Sequence, residues 1–186
     1  MSEIETARQG GRSLRAVREG IARQLVHGYA AVVATPWSNV MLGVSVRAQV
    51  ITSIDFLAGN AMPYTASTAI AREAVRQLRA YFDDPYYCFS LPLEPRGTPF
   101  QQRVWDALGR IPSGEIRSYG ALAHQLGSGP RAIGGACRAN PIPVVIPCHR
   151  VVAAHGMGGF MGMTTGRALQ LKQHLLTHEL LSKCRS

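Results

Sequence analysis

Residues 140–152 restrict the possible fold more than any other part of this sequence. They read Asn-Pro-Ile-Pro-Val-Val-Ile-Pro-Cys-His-Arg-Val-Val. The three prolines exclude a helix, because proline lacks a backbone N–H and disfavours the helical conformation in the residue before it. We predict a turn followed by one short buried strand at residues 144–146. Pro147 then ends the strand and fixes the backbone just before Cys148 and His149, so a thiol is held at a rigid position.

Cys148 is the candidate nucleophile of this segment. Cysteine reacts as the thiolate, and an adjacent imidazole in electropositive surroundings is the usual means of lowering its pKa. His149 follows Cys148 directly, and Arg150 follows His149. A free cysteine can also serve as a small buried hydrophobic residue. That role requires neither a proline frame nor His and Arg neighbours, so we predict a reactive thiol.

The positive charge is concentrated in the second half of the chain. Residues 1–95 contain nine Lys/Arg and eight Asp/Glu, whereas residues 96–186 contain eleven and three, within a net charge of +9. Such an excess predicts a polyanionic partner that is bound mainly through its phosphates. No apolar run approaches the roughly 20 residues needed to cross a bilayer, so no membrane association is expected.

The remaining cysteines and the histidines predict no metal site. The cysteines contain no Cys-x-x-Cys pair and follow no secretory signal, which argues against a disulfide framework or a zinc ribbon; they are Cys88, Cys137, Cys148 and Cys184. A reducing cytoplasm is the expected location, and it would preserve a reactive thiol. His174 and His178 could share a metal, but no third ligand is apparent, and a solvated helix face is favoured. We expect neither a metal nor an organic cofactor.

The first half of the chain is predicted to contain an extension and a small α/β domain. In the extension, residues 1–28, the pattern predicts an amphipathic basic helix docked on the first domain, with a targeting segment or an auxiliary DNA contact as alternatives. Residues 29–96 predict an antiparallel sheet covered by one helix, with no constellation suited to chemistry. The three β-rich runs lie at residues 30–34, 40–46 and 50–56. The helical stripe lies at residues 68–82, and the proline-rich connection follows at residues 83–97.

Residues 97–186 predict a second, mainly helical domain. Its first helix has the signals of an N-cap, a proline at the first helical position and a capping box, in Thr98, Pro99 and Gln101. Two later helices, residues 119–126 and 131–139, are joined by a glycine-containing turn. This pair is a candidate helix-turn-helix.

The second of these helices has an unusually smooth surface. It contains the adjacent glycines Gly134 and Gly135, each of which costs about 1 kcal/mol relative to alanine in a helix interior. A helix that reads bases in the major groove would project long polar side chains, and this one mostly lacks them. The pattern favours a helix pressed into the minor groove, and tight packing inside the domain is the alternative.

The quoted motifs resemble the active-site signature of the O6-alkylguanine-DNA alkyltransferases. The signature is Pro147-Cys148-His149-Arg150, preceded by Asn140-Pro141 and followed by Val151-Val152. The resemblance runs from about Thr98 to Glu179, and more faintly back to about Thr35. It implies an α+β fold, with a small N-terminal α/β domain that has a short antiparallel sheet. A mainly helical C-terminal domain with a winged-helix-like helix-turn-helix would follow.

The resemblance also implies an activity. The chain would repair DNA by direct, irreversible, single-turnover transfer of the alkyl group from O6-alkylguanine to Cys148, with O4-alkylthymine as a second candidate substrate. The nucleotide would first be flipped out of the duplex, because the reacting atom is buried in the base stack. The implied partner is double-stranded DNA containing alkylated guanine, contacted through the minor groove by a monomer.

The implied catalytic residues are Cys148, His149, Glu179 and Asn140. In the family, the histidine relays the thiol proton through a bridging water, with a glutamate on the far side of its ring. The helical period supports this role for Glu179, because it falls on the apolar stripe of the last helix with Ala168, Leu171 and Leu175. A buried carboxylate needs a partner, for which an arginine would also serve. Asn140 is expected to tie the turn together through its side chain.

The implied DNA contacts lie on the two helices of the candidate helix-turn-helix. Arg131 would fill the gap left by the flipped base, although a solvated phosphate contact is the alternative. Tyr119 would crowd the adjacent phosphate and donate a hydrogen bond to the guanine ring, although it could be only a half-buried core residue. Arg138 would contact phosphate, and Ala132 and Gly135 would lie against the minor groove.

The implied base pocket involves the glycine-rich loop after the thiol segment. Phe160 would stack on the guanine with Pro143 opposite, and Gly162 would lie near the O6 atom. The exocyclic amine would donate to the backbone carbonyls of Cys148 and Val151. The loop departs from the family pattern, because it is one residue shorter, has Phe160 in place of the commoner tyrosine, and has Met163 in place of a second glycine.

Two other functions compete with alkyl transfer. A lesion-binding protein of the same fold would flip and signal damage, but such relatives lack the reactive cysteine. A cysteine hydrolase would use Cys148, His149 and a carboxylate, and it would need a histidine from a separate segment in direct contact with the thiol. The hydrolase would also leave the basic second half and the candidate helix-turn-helix unexplained.

Overall fold

The computed structural model describes residues 28–59, 61–65 and 68–182. The predicted amphipathic helix of the extension and Cys184 lie outside the described residues. Among the helices that are described, none is both long and apolar enough to cross a bilayer.

The first half forms a four-stranded antiparallel sheet covered by one helix. The strands are β1 (Ala31–Ala34), β2 (Val40–Arg47), β3 (Val50–Ala58) and β4 (Tyr64–Thr65), in the spatial order β3-β2-β1-β4. The three predicted strands are confirmed, and the short edge strand β4 was not predicted. Helix α1 (Ala69–Asp83) begins at Thr68, whose hydroxyl accepts a hydrogen bond from the backbone N–H of Ala71. Its buried face packs on the sheet.

The second half is mainly helical, as predicted. Its elements are α2 (Pro99–Gly109), β5 (Arg117–Ser118), α3 (Tyr119–Gln125), α4 (Pro130–Arg138), a 3₁₀ helix (Cys148–Arg150), β6 (Val151–Val152) and α5 (Gly166–Ser182). The capping box of Thr98 and Gln101 at the start of α2 is confirmed. The indole N–H of Trp105 on α2 donates to the carbonyl of Ala136 on α4, at 2.9 Å, and so holds the helix-turn-helix against α2.

The predicted strand at residues 144–146 is wrong. These residues form a turn, in which Val144 has a φ of 75° and the N–H of Ile146 donates to the carbonyl of Ile142. The side chain of Asn140 holds this turn closed, as expected, because its amide donates to the carbonyl of Ile146 (2.8 Å) and its oxygen accepts from the N–H of Ile142 (3.0 Å). Local side-chain bonds therefore replace a strand ladder, and the chain continues directly into the 3₁₀ helix that carries Cys148.

One continuous set of buried apolar residues connects the two halves. The N–H of Ile54 on β3 donates to the carbonyl of Pro141, at 2.9 Å, so the sheet is tied to the thiol segment. Arg167 at the start of α5 donates to the carbonyl of Asn39. These contacts place the sheet and α1 directly behind the site described below.

Candidate active site

Cys148 lies at the wall of the cavity that faces the helix-turn-helix. The cavity has a volume of about 630 Å³, and the thiol is 5% exposed. Several predicted site residues line it, together with a second thiol: Tyr119, Arg131, Cys137, Arg138, Phe160 and Gly162. Residues separated by more than forty positions in the sequence therefore meet around the sulfur.

The expected lowering of the Cys148 pKa is not found. Burial raises the pKa of this thiol, and the Asn140 amide and the charge of Lys172 act in the opposite direction without reversing the effect. Desolvation disfavours the thiolate, so the resting residue is a neutral thiol. Nucleophilic attack from this position requires a base that removes the proton.

His149, the next residue in the chain, has the protonation state of such a base. Its ring is fully buried, and Nε2 lies 2.8 Å from Oε1 of Glu179. Burial lowers the pKa of His149, and Glu179 opposes this effect. Since the neutral ring must donate from Nε2 to the carboxylate, Nδ1 carries the lone pair. Nδ1 has no hydrogen-bond partner among the residues that the structure describes, which leaves it able to accept a proton.

Glu179 is the centre of a buried hydrogen-bond network. The prediction that it points inward is confirmed, because it is 1% exposed. The two partners considered from the sequence are both present, since Arg150 binds the two carboxylate oxygens at 2.8 to 3.2 Å while His149 binds Oε1. The hydroxyl of Tyr81 on α1 donates to the same oxygen at 2.9 Å. Burial alone would raise the pKa of Glu179, but His149 and Arg150 lower it to about 2.

Lys172 is a buried cation that the sequence analysis missed. Its Nζ donates to the carbonyls of Val151 (2.6 Å), Met157 (2.6 Å) and Gly159 (3.0 Å). Burial lowers its pKa to about 8, and the two thiols oppose this shift. The helical spacing could have predicted its burial, because Lys172 lies seven residues before Glu179 on the same inward stripe of α5. It holds the loop after the thiol segment and places positive charge near the sulfur.

Tyr119 lines the cavity but uses its hydroxyl within the protein. The hydroxyl donates to the carbonyl of Gly159 at 3.2 Å, and the Nζ of Lys172 lies 5.7 Å from the ring centre. Burial raises the pKa of Tyr119 to about 12, so the phenol remains a hydrogen-bond donor at neutral pH. Donation to a bound base would require it to exchange this partner.

The glycine-rich loop forms one wall of the cavity. Phe160 is 4% exposed, and its backbone forms two hydrogen bonds with Met163 across a tight turn. Met161 and Gly162, at the centre of the turn, have φ values of 52° and 81°. A Cβ at position 162 would lie 2.7 Å from Nε of Arg138, so a larger residue would have to displace this side chain, and the positive φ independently favours glycine.

The other expected groups of the base pocket are Pro143 and the backbone carbonyls of Cys148 and Val151. Pro143 lines a second cavity of about 300 Å³, which shares Cys148 with the first, whereas Phe160 lines the first cavity. The carbonyl of Cys148 accepts from the N–H of Val151, and the carbonyl of Val151 accepts from Lys172. A carbonyl oxygen has two lone pairs, so the carbonyl of Cys148 can accept a second hydrogen bond from an incoming donor.

Helix α4 presents a smooth, accessible surface. Ala132, Gly135 and Arg131 are exposed, and a Cβ built at Gly134 or Gly135 would meet nothing within 4 Å. Tight packing inside the domain therefore does not explain the glycines. The surface can instead accept a close external partner along this helix.

His174 and His178 are both engaged in other contacts. The ring of His174 stacks on Trp37 with 5.6 Å between the ring centres, and Nε2 of His178 lies 2.9 Å from the carbonyl of Tyr81. In the described part of the chain, no group of three or more His, Cys, Asp or Glu side chains is arranged to hold a metal.

The buried network predicts a loss of stability on acidification. The folded-state pKa values of His149 and Glu179 are below their ordinary values of 6.5 and 4.5, so both groups bind fewer protons in the folded state. Their stabilising contributions are complete at neutral pH and are lost as pH falls, first below about 6.5 for His149. For Glu179 the loss falls between about pH 4.5 and 2 and amounts to about 3 kcal/mol.

Urea unfolding at a series of pH values measures this effect. In Glu179→Gln the loss between about pH 4.5 and 2 should be much smaller, because the titrating group is absent. An unfolding free energy of the parent chain that stays constant from about pH 6.5 down to 3 would contradict the assignment.

The comparisons with known proteins agree on one family. A family model described as the DNA-binding domain of 6-O-methylguanine DNA methyltransferase matches residues 99–181. The constitutive methylated-DNA–protein-cysteine methyltransferase of Bacillus subtilis is 45% identical over 113 residues, which are 59% of this chain and 66% of that protein. The Methanosarcina acetivorans protein of the same name is 46% identical over 110 residues, 58% of this chain and 68% of that protein. The aligned part thus spans about two thirds of these curated relatives.

Solved structures extend the similarity to most of the chain. A crystal structure of a variant of the Mycobacterium tuberculosis O6-methylguanine methyltransferase is 37% identical, with a TM-score of 0.67, covering 80% of this chain and 90% of that one. A structure of Mycobacterium tuberculosis OGT in complex with DNA is 36% identical, with a TM-score of 0.64, covering 81% of this chain and 92% of that one. The similarity therefore includes the N-terminal sheet as well as the helical half.

Proposed function

This chain belongs to the family of methylated-DNA–protein-cysteine methyltransferases, and we propose that it repairs DNA by transferring one alkyl group from the O6 atom of guanine to the sulfur of Cys148. The observation that supports this acceptor is the burial of a neutral thiol beside an imidazole with a free Nδ1. The sulfur also faces a cavity large enough for a purine base.

The proton of Cys148 passes to Nδ1 of His149 through one bridging water. Glu179 accepts the Nε2–H of the ring and stabilises the imidazolium that forms. Arg150 holds the carboxylate in place by donating to both of its oxygens. The charge of Lys172 favours the thiolate at the moment it is produced. Deprotonation thus occurs in the site, although burial keeps the resting thiol neutral.

The thiolate then displaces guanine from the alkyl carbon. A carbon–sulfur bond forms, the carbon–O6 bond breaks, and the electron pair leaves with the purine. The hydroxyl of Tyr119 exchanges the carbonyl of Gly159 for the purine ring and donates a hydrogen bond to it as negative charge develops, while the imidazolium of His149 balances that charge. The product is a thioether on Cys148, which nothing in the site can hydrolyse, so each molecule reacts once.

The reacting base reaches the cavity by flipping out of a duplex that lies against α4. The smooth surface of Ala132 and Gly135 allows this helix to enter the minor groove, and the charge excess of the second half attracts the phosphates. Arg131 is exposed at the start of the helix, at the edge of the cavity. From there its side chain can reach into the duplex and occupy the space in the base stack that the flipped base leaves. Arg138 lies at the cavity beside Gly162 and contacts the backbone next to the flipped nucleotide.

Arg131→Ala should slow alkyl transfer from duplex DNA by about tenfold to a hundredfold, because unstacking a base costs a few kcal/mol that the arginine offsets. Transfer from the free base O6-methylguanine should change little, since no flipping is needed. Single-turnover rates with the two substrates measure the difference. Arg103→Ala, which removes an exposed arginine from α2, is the control for lost charge. Equal slowing with both substrates would contradict this role of Arg131.

Intact-protein mass spectrometry tests the proposed function. The chain is mixed with a duplex that contains a single O6-methylguanine, and in parallel with the unmodified duplex. A gain of one methylene mass, seen only with the damaged duplex and mapped by peptide analysis to Cys148, is the expected result. Tight, damage-selective binding without a mass gain would indicate a lesion sensor instead.

A further inference from the structure

Tyr81 connects the N-terminal half of the chain to the proton relay. It lies on α1, 98 positions before Glu179, in a half of the sequence that showed no constellation for chemistry. Its side chain is fully buried, and its hydroxyl donates to Oε1 of Glu179 at 2.9 Å. The inward pattern of α1 predicted only that this residue would pack on the sheet.

The hydroxyl shares its acceptor atom with the histidine. Oε1 of Glu179 also accepts from Nε2 of His149 at 2.8 Å and from Nη2 of Arg150 at 2.8 Å. A carboxylate that receives a neutral donor has its negative charge dispersed, and the remaining hydrogen bonds to it weaken. The Tyr81 hydroxyl therefore acts on the same lone-pair region that holds the imidazole.

The position and the protonation state of this hydroxyl are both well defined. The ring of Tyr81 is enclosed by Phe82 and Phe89, each with 5.5 Å between ring centres, and by His178 at 5.3 Å. Burial and the neighbouring Glu179 charge raise the pKa of Tyr81, so it donates at every pH at which the protein is folded. The hydroxyl is a permanent, fixed donor.

We propose that Tyr81 is a positioning residue for alkyl transfer, whose hydroxyl fixes Glu179 and keeps Nδ1 of His149 free to accept the proton of Cys148. This inference rests on the proposed function, since it assigns Tyr81 to the same relay. It makes the N-terminal half part of the active site, although no residue of that half contacts the substrate in this role.

Removing the hydroxyl of Tyr81 should favour the protonated form of His149. The other charged and titratable groups around the Glu179–His149 pair are Arg150 on the 3₁₀ helix, Lys172 on α5, and His178 packed on the Tyr81 ring. None of them changes in Tyr81→Phe. Without the Tyr81 hydroxyl, Oε1 of Glu179 carries more negative charge and stabilises the protonated form of His149 more strongly. The pKa of His149 in Tyr81→Phe is therefore higher than in the parent chain. Because a protonated ring cannot serve as the base, transfer slows at acidic pH.

The test is the pH dependence of single-turnover alkyl transfer, measured from about pH 4.5 to about 9. In Tyr81→Phe the midpoint of the acidic limb should rise by about one pH unit, and the rate well below both midpoints should fall about tenfold. The two rates should converge in alkaline solution, where the histidine is neutral in both proteins. Tyr87→Phe is the matched control, because it removes a hydroxyl from the same half that accepts a hydrogen bond from Arg76, at 3.2 Å, away from the Glu179 network. Its profile should match that of the parent chain.

A double-mutant cycle shows whether Tyr81 acts through Glu179. In a Glu179→Gln background, Tyr81→Phe should no longer raise the pKa of His149, followed by NMR of the imidazole ring, because the carboxylate it acts on is absent. An unchanged profile in the single variant would overturn the proposal. So would slowing by one constant factor at every pH together with a lower melting temperature, which indicates a structural role only. Failure of the parent chain to acquire a methyl group would instead refute the proposed function, so the two failures are distinguishable.

Discussion

Cys148→Ala is expected to abolish alkyl transfer completely while leaving the fold and the binding of alkylated DNA intact. The thiol has the buried position, the base and the cavity that the displacement requires, and an alanine methyl group has no nucleophilic atom. Since the substitution removes only one buried sulfur, the free energy of unfolding should change by about 1 kcal/mol or less. Gel-shift titration and intact mass after exposure to the damaged duplex measure binding and transfer separately.

Cys137→Ala is the matched control for this loss. Cys137 lines the same cavity, and burial together with Cys148 raises its pKa to about 12. It lies on α4 and lacks the imidazole that serves Cys148, so it should not accept the alkyl group. The Cys137→Ala protein should therefore gain one methyl mass at close to the parent rate. A methyl group still acquired by Cys148→Ala would show that Cys148 is not the acceptor.

Glu179→Leu is expected to destabilise the fold by about 3 to 5 kcal/mol, because it leaves a buried arginine without its counter-charge. Arg150 is 9% exposed, and its remaining partner is the carbonyl of Ile111, at 2.5 Å from Nη1. The hydroxyl of Tyr81 and the Nε2–H of His149 lose their acceptor in the same step. Denaturant unfolding measures the change, and transfer should also be lost because the imidazolium has no stabilising charge.

Glu115→Leu provides the comparison for an exposed carboxylate. Glu115 lies 3.5 Å from Arg117, and about half of each side chain is exposed. Surface pairs of this kind contribute about 1 kcal/mol or less, so the unfolding free energy should hardly change. If Glu179→Leu cost no more than Glu115→Leu, the buried network would not have the structural importance assigned to it.

Glu179 could be predicted from the sequence and Tyr81 could not, for a simple geometric reason. The inward stripe of α5 is a periodic property of neighbouring residues, and a buried carboxylate must have a partner. Tyr81 also lies on an inward stripe, but a tyrosine among apolar residues satisfies the pattern without indicating where its hydroxyl points. Its partner lies 98 positions away in another element. The burial of Lys172 could be predicted in part, because helical periodicity places it near the inward stripe of α5. Its three carbonyl acceptors could not be predicted, because they belong to residues 151–159, outside that helix.

The two wrong predictions at the thiol have a common cause. The strand at residues 144–146 and the lowered pKa of Cys148 were inferred from immediate sequence neighbours. Asn140 closes a turn where β-rich residues suggested a strand. The side chain of Arg150 is turned toward Glu179 on the far side of His149, and burial then dominates the thiol. Arg150 is close to Cys148 in the chain, but its charge is used by Glu179 and does not lower the pKa of the thiol.

The local features of this protein can be read from the sequence alone: its helix caps, its antiparallel sheet, its helix-turn-helix and the motif that contains the candidate acceptor cysteine. These features depend on backbone restrictions and short-range periodicity, which are written in consecutive residues. The tertiary structure was needed to show the protonation state of the thiol, the partners of Glu179 and the buried contacts of Tyr81 and Lys172. Those properties depend on desolvation and on hydrogen bonds between distant segments, and both arise only when the two halves pack together.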